Sequence, residues 1–411
     1  MLGMNEEKLF SEKDTFLGFV DALESVSEGR WVQKNEMLAA GLPDAPILSE
    51  SISGGIEFHD KHGNVFRKKA DCSSDEISSC MGSTKLVLMF PGDGNEQVYP
   101  LSNNGLISAV ARAGYGSSSV LCNTSGRKGV SEMPSEVKAM ILNEAFPLYS
   151  GDDKDPDNVT QNKVYVYRCD GFVDFVGSNN YSPTAASSAI KTVEETANAI
   201  FPVEFVSGSI SRSCVMASYE VLDAKLKSKI EEVFLKGGIN VRGCAVSLKF
   251  CTSQIGMSGM NLYPTLQYGD TTIPLDVPMK LEHKNGVGLE ELANNVKEIC
   301  SMYRATPQRI QSLEDIVLSN PEDTFKNMSL SAGLPQKFFY EKAVDFASSY
   351  PSASMLDMYF AMFDALAEYK AETELRELEY IQLTERLARL FFGSYVEKID
   401  VPGTVKVKIA A

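Results

Sequence analysis

Asn285-Gly286-Val287-Gly288 is where the hydrophobic pattern of this chain changes. Before it, apolar residues come in short runs separated by Gly- and Asp-rich turns, which is the pattern of strands. After it, they recur every three or four residues as far as Phe392-Gly393, which is the pattern of helices. Leu289, Leu292, Ala293, Val296, Ile299, Cys300 and Tyr303 form the first helical stripe. Thr306-Pro307, Asn320-Pro321 and Leu334-Pro335 open further helices, and Ser352 is read as the cap of another. The last is placed from about Glu372 to Phe392, with Glu372/Arg376 and Glu385/Arg389 as i,i+4 pairs on its solvent side. The fold class that follows is α+β: a mostly antiparallel strand-rich body with interspersed helices, then a C-terminal helical module.

Upstream of that boundary the clearest unit is a hairpin. Lys163–Arg168 and Phe172–Gly177 flank Asp170-Gly171, a dipeptide suited to a tight turn with positive φ. Ser182-Pro183 then opens a helix faced by Ile190, Val193, Ala197 and Ile200. Strands follow around Val203–Val206, Ser213–Tyr219, Ile239–Cys251 and Asn261–Gln267, with a helix near Leu222–Leu235. Nearer the N-terminus, Ser11–Ser27 reads as an amphipathic helix with a Ser11/Asp14 capping box. A hairpin through Asp60-Lys61-His62-Gly63 and a strand at Lys85–Phe90 follow. The divisions implied are 1–97, 98–284, 285–393 and a tail, 394–411, in which Thr404–Ile409 alternates like an edge strand.

Composition narrows the function classes. The 411 residues carry a net charge of −16, which repels nucleic-acid phosphates and anionic lipid except at a local basic patch. No apolar run is long enough for a transmembrane helix, and Met1–Lys8 lacks the features of a signal peptide, so a cytoplasmic protein without a membrane partner is expected. None of the eight cysteines is spaced as in zinc or thioredoxin-like motifs, and free thiols in a reducing compartment are expected. His59, His62 and His283 show no metal-ligand spacing. Asp153–Asp157 alternates carboxylates, but Asn158 and Val164 stand where a calcium loop needs Gly and Glu. Gly92-Asp93-Gly94, Gly237-Gly238 and Ser125–Lys128 lack the companions of nucleotide or acylation motifs. No cofactor, metal or catalytic residue is therefore assigned.

One constellation is suggestive. Lys163, Tyr165, Tyr167 and Arg168 interleave bases with aromatics on one strand, and Arg242 and Lys249 lie on another. Such a face can stack bases and hold phosphates, whereas a half-buried strand would use its tyrosines for packing.

Lys163–Arg168, Gly171 and Ser178-Asn179-Asn180-Tyr181-Ser182-Pro183, followed by a helix, resemble a phage/plasmid-like family known as domain of unknown function nine-three-two. Val98–Ser102, Ser253-Gln254-Ile255-Gly256, Lys284-Asn285-Gly286 and Asp364–Tyr369 resemble its other segments, over about Tyr99 to Phe392. The chain departs from that pattern at Gln254, where glutamate is usual, and at Gly177, where leucine is common. The resemblance implies a phage- or plasmid-encoded protein of the bacterial cytoplasm and no established activity. With the basic–aromatic strand, it gives the expectation of a non-enzymatic accessory factor in DNA metabolism that binds or anneals single-stranded DNA. The alternative is a protein-binding or assembly module, such as a host-defence antagonist or virion-associated protein, with a host or phage protein as partner. The helical stripes also allow a homo-oligomer seam.

Overall fold

A computed structural model describes residues 6–41, 49–50, 56–59, 65–68, 84–90, 98–113, 134–148, 163–236, 241, 243–268, 271–393 and 395–409. The chain begins with β1 (Glu7–Phe10), α1 (Lys13–Ser25) and β2 (Ser27–Gln33). Six short strands follow: β3 (Leu38–Gly41), β4 (Ser49–Glu50), β5 (Ile56–His59), β6 (Val65–Lys68), β7 (Leu86–Met89) and β8 (Val98–Pro100). Helices α2 (Asn103–Arg112) and α3 (Ser135–Leu148) precede the hairpin β9 (Lys163–Cys169) and β10 (Phe172–Gly177). Then come α4 (Ala186–Asn198), β11 (Val203–Ser211), β12 (Val215–Val221), α5 (Ala224–Lys236), β13 (Ala245–Thr252), β14 (Met260–Tyr268), β15 (Thr271–Pro274) and β16 (Met279–Leu281). The C-terminal helices are α6 (Leu289–Met302), α7 (Thr306–Glu314), α8 (Pro321–Ala332), α9 (Gln336–Ser349), α10 (Met355–Thr373), α11 (Glu377–Phe392) and the short α12 (Val396–Ile399).

The principal sheet is antiparallel, in the order β1-β11-β12-β13-β14-β15, with β16 also paired to β14. Its strands alternate. Ala217, Tyr219 and Val221 on β12, with Val246, Leu248 and Phe250 on β13, enter the main core. That core also takes Phe16 of α1, Ile190 and Val193 of α4, Val296 and Ile299 of α6, and Tyr359 and Phe363 of α10. The strand-rich and helical halves therefore bury one common core. The junction between them is stitched down as well. Asn285 and Gly286 adopt left-handed φ values of 57° and 77°. Asn285 N donates to Asn180 O at 2.8 Å, and Gly286 N donates to Ser182 Oγ at 2.7 Å.

A second core lies under the order β10-β9-β2 and the order β3-β7-β8. Leu86 and Leu88 meet Leu106 and Val110 of α2, Leu142 of α3, and the valines Val164, Val166, Val173 and Val176. Gly105 lets α2 lie against β10, since a Cβ there would stand 2.0 Å from Val173 O. Arg212, in the β11–β12 turn, ties this body to the principal sheet. Its Nε donates to Asp174 Oδ2 at 2.8 Å and its Nη2 to Cys169 O at 2.6 Å, while Asp170 lies 3.8 Å away. The Arg212 and Asp174 side chains are 8% and 2% exposed, and burial pushes the Asp174 carboxyl above its usual range even though Arg212 opposes the shift.

The α+β class and most elements match expectation, with corrections where tertiary partners replace local signals. β2 pairs with β9, and β1 with α1 joins the principal sheet, so residues 7–33 are part of both bodies rather than of a separate N-terminal unit. The Ser11/Asp14 capping box is absent, and Glu12 occupies the α1 cap. Helix α4 starts after Ala185, later than Ser182-Pro183, because Glu24 of α1 accepts from Ser187 N at 3.0 Å and caps it from outside. Ser354, not Ser352, caps α10 through a capping box with Asp357. Glu372 and Arg376 flank a break between α10 and α11, and Arg376 pairs with Glu379 instead. Glu385 faces inward, bonded to Arg389 at 3.1 Å and Lys280 at 2.5 Å. Residues 404–409 join no sheet. Val405 N and Val407 N donate to the Asn327 and Ser331 side chains of α8, which satisfy backbone that a neighbouring strand would otherwise pair. The turn at 60–63, the acidic segment 153–158, the glycine pairs at 92–94 and 237–238, and Ser125–Lys128 lie outside the described residues.

Breaking the Arg212 tie leaves two buried carboxylates without their cation. Arg212→Met is expected to cost about 3–5 kcal/mol. Urea denaturation reads the total, and amide exchange should accelerate first across Lys163–Gly177. A loss within experimental error would show that the ion pair does not hold the hairpin.

Candidate functional site

The basic–aromatic strand β9 is buried on both faces. Its valines enter the second core, while Tyr165, Tyr167 and Cys169 join Tyr181 and Ile255 on the other side. Tyr165 stacks on Tyr181 with centroids 5.1 Å apart and meets Trp31 edge-on at 5.4 Å. Burial raises the Tyr167 and Tyr181 phenols above their ordinary range. Arg168 is bonded to Glu28 and lies over the Tyr99 ring. Lys163 is exposed at the end of the strand. Arg242 lies outside the described residues. A cavity of about 230 Å³ beside the tyrosines is lined by Glu24, Ser27 and Gln254 as well. Glu24 there is already bonded to Ser187, and Gln254 Nε2 lies 3.5 Å from its Oε1. His283 is a satisfied core residue between Thr252 Oγ1 and Ser182 O, each at 3.3 Å, and burial lowers its pKa.

Lys249 is elsewhere, on the second face of the principal sheet. Where β12 and β13 send Tyr219, Leu248 and Phe250 into the core, their alternate residues are Met216, Ser218 and Glu220, and Ala245, Ser247 and Lys249. Ser207 and Ser209 of β11, Gln267 of β14 and Thr272 of β15 extend this surface. Small side chains leave room above it. The result is a groove of about 1020 Å³, walled at one side by Glu7 and Leu9 of β1 and roofed by the elbow between α10 and α11. Beyond the groove, Leu378 and Ile381 of α11 close the same face over Cys214, Met216, Cys251 and Tyr263. The roof is held by the Lys370–Glu377 ion pair and by Glu377 N, which donates to Glu7 Oε2 at 3.2 Å.

Lys249 sits in the floor, opposite Ser218 on one side and Tyr263 on the other. Its Nζ donates to Thr272 Oγ1 at 3.1 Å, and that hydroxyl donates to Gln267 Oε1 at 2.8 Å. Among the described residues it makes no ion pair, in contrast to Lys13, Lys280, Lys326, Lys342 and Lys370. Burial lowers its pKa from the ordinary lysine value; Glu377 pulls it back up and the like charge of Lys370 lowers it further. A cation whose partner is a neutral hydroxyl, in the floor of a groove with both donors and acceptors, is suited to an anionic ligand group. Among the described residues no group of three or more His, Cys, Asp or Glu side chains is arranged to hold a metal ion.

The structure thus brings Tyr165 and Tyr167 together and places Lys249 in a different cavity. Reading the sequence singled out Lys249 but missed its serine neighbours. The signal was the second face of Ala245-Val246-Ser247-Leu248-Lys249-Phe250, small where an exposed face is usually charged. Compared with family models, curated proteins and solved structures, the chain matches none of them.

Lys249→Met removes a buried charge and is expected to raise stability near neutral pH by roughly 1 kcal/mol or less, since the groove opens to water. The folded-state pKa lies below the 10.5 of the free side chain. Between the two values the unfolded chain binds more protons, so wild-type stability climbs with pH there. The advantage of the variant is full below that window and disappears towards pH 10.5. Thermal unfolding across this range checks it; a wild type that loses stability as pH rises through the window would contradict the assigned shift.

Proposed function

We propose that this protein is a binding module whose groove holds a carboxylate-bearing ligand, either a free organic acid or the C-terminal end of a polypeptide. Lys249 carries the reading: an ammonium in the floor of a groove of about 1020 Å³, answered by a hydroxyl and by no ion-paired carboxylate among the described residues. An entering carboxylate supplies the missing counter-charge in a partly desolvated site, where a charge-assisted hydrogen bond is stronger than in water. Ser218 and Ser247 offer hydroxyls along the floor, and Glu7, Glu220, Glu374 and Glu377 outnumber Lys370 and Arg376 around it, so the rim is mildly acidic. That rim disfavours ligands with several negative charges and suits one carboxylate on a neutral or cationic body. The polypeptide source accords with the protein-binding alternative, with a host or phage protein as partner.

Bound carboxylate raises the Lys249 pKa from its lowered free-state position, so binding takes up a proton in the interval between the two. Affinity is full below the free-state value and weakens as pH rises through the bound-state value. Calorimetry with benzoate, and with one tetrapeptide as free acid and as C-terminal amide, tests this. The expected result is a dissociation constant of about 0.1–1 mM, an enthalpy that varies with the buffer's ionisation enthalpy, and loss of both in Lys249→Met. Benzoate alone binding points to a small acid; preference for the free-acid peptide points to a chain end. Binding that is indifferent to Lys249→Met would refute the reading.

Single-stranded DNA binding in phage or plasmid DNA metabolism draws less support. Tyr165 and Tyr167 are buried against other rings, Arg168 is paired, and Lys249 faces a groove whose rim carries more carboxylates than cations. Fluorescence anisotropy with labelled single-stranded DNA at low salt is expected to show no salt-dependent binding; a signal that falls steeply with salt would restore the nucleic-acid reading.

A further inference from the structure

We infer that Lys249 is a reactive amine whose Nζ adds to the carbonyl carbon of an aldehyde or ketone held in the groove and forms an imine. The inference rests on the groove being a ligand site, as proposed above, and names a second ligand class, an aldehyde or ketone, which meets Lys249 as the neutral amine where a carboxylate meets it as the ammonium.

The geometry supplies what such a step needs. Lys249 lines the groove, and among the described residues its Nζ ends on a hydroxyl instead of in an ion pair. Its hydrogen bond runs to Thr272 Oγ1, whose own hydrogen is committed to Gln267 Oε1, so the network accepts from the amine and offers it no competing proton. A lysine nucleophile is prepared by desolvation and by a neighbouring cation. Burial provides the first; Lys370 acts in the second sense but is paired with Glu377, whose charge opposes it, so burial carries the effect. Glu220 also lines the groove, and Glu377 lines it within its ion pair to Lys370.

In the step, the N–C bond forms as the carbonyl π bond opens. The oxygen gains a proton as the nitrogen loses one, giving a carbinolamine. That oxygen then leaves as water, the nitrogen loses its second proton, and C=N is formed. No oxidant or reductant enters.

The test uses the full chain with 4-carboxybenzaldehyde and sodium cyanoborohydride, which delivers hydride to the imine carbon and fixes it as a secondary amine. Peptide mapping by mass spectrometry locates the adduct. Lys249 should be labelled faster than the exposed Lys225 and Lys406 by roughly tenfold for each unit by which its pKa is lowered. Thr272→Val removes the acceptor that favours the ammonium and should speed labelling at Lys249 alone, and Lys249→Met, its fold verified by circular dichroism, should lose only that adduct. Benzoate, which has no carbonyl, is titrated in parallel. Benzoate binding without selective labelling overturns the amine and leaves the groove intact. Selective labelling without benzoate binding keeps the amine and removes the anion site. Labelling spread over the exposed lysines, with no benzoate binding, overturns both.

Discussion

Side-chain alternation along β12 and β13 is the constraint from which the rest of this structure follows. One face carries Tyr219, Leu248 and Phe250 into a core shared with α4, α6 and α10. The other must then carry Ser218, Ser247 and Lys249, because the period of a strand is two. A slip by one residue would exchange the faces, burying Lys249 among the helices and exposing Phe250. Core and groove are thus one register decision seen from two sides. The antiparallel pairings Ser218 with Lys249 and Lys249 with Tyr263 record that decision.

Long-range polar ties then fix the pieces in place. Arg212 reaches Asp174 and Cys169 across the gap between the two bodies, and within the main core Glu24 of α1 caps α4. Both are buried or half-buried polar contacts, for which desolvation makes a missing partner costly. They bring the segments around Tyr181, Gln254 and Asn285 to one place: the Tyr181 hydroxyl donates to Gln254 O at 3.0 Å, and Asn180 Nδ2 to Asn285 Oδ1 at 3.1 Å. Stretches far apart in the chain are thereby made structural neighbours, so the change of pattern at Asn285 marks a seam within one packed unit.

The sequence was most legible where local chemistry decides. Asp170-Gly171 takes the left-handed φ values its turn requires, 51° and 80°, and the apolar stripe of α6 is buried as its period indicates. It was least legible where a distant group decides. Nothing near Ser182 reveals that Glu24 will cap the next helix, and nothing in Ser27–Gln33 announces a strand until β9 is beside it. The groove combines both cases. Lys249 stands out by charge, but the serines around it are ordinary residues until three strands set them side by side. The tyrosines of β9 show the reverse: conspicuous in sequence, and in the fold engaged in packing.

The groove also has a history in time. Its outer wall is Glu7 and Leu9, and the group that closes it is Glu377, whose amide meets the Glu7 carboxylate. At roughly 5–20 residues per second, a ribosome makes the wall tens of seconds before it makes the roof. Lys249 and the serine floor, once made, stand uncovered for roughly the last third of that interval. Binding competence is therefore acquired late, once Glu377 is made, and a nascent chain that has not reached it carries the floor of the site without the site.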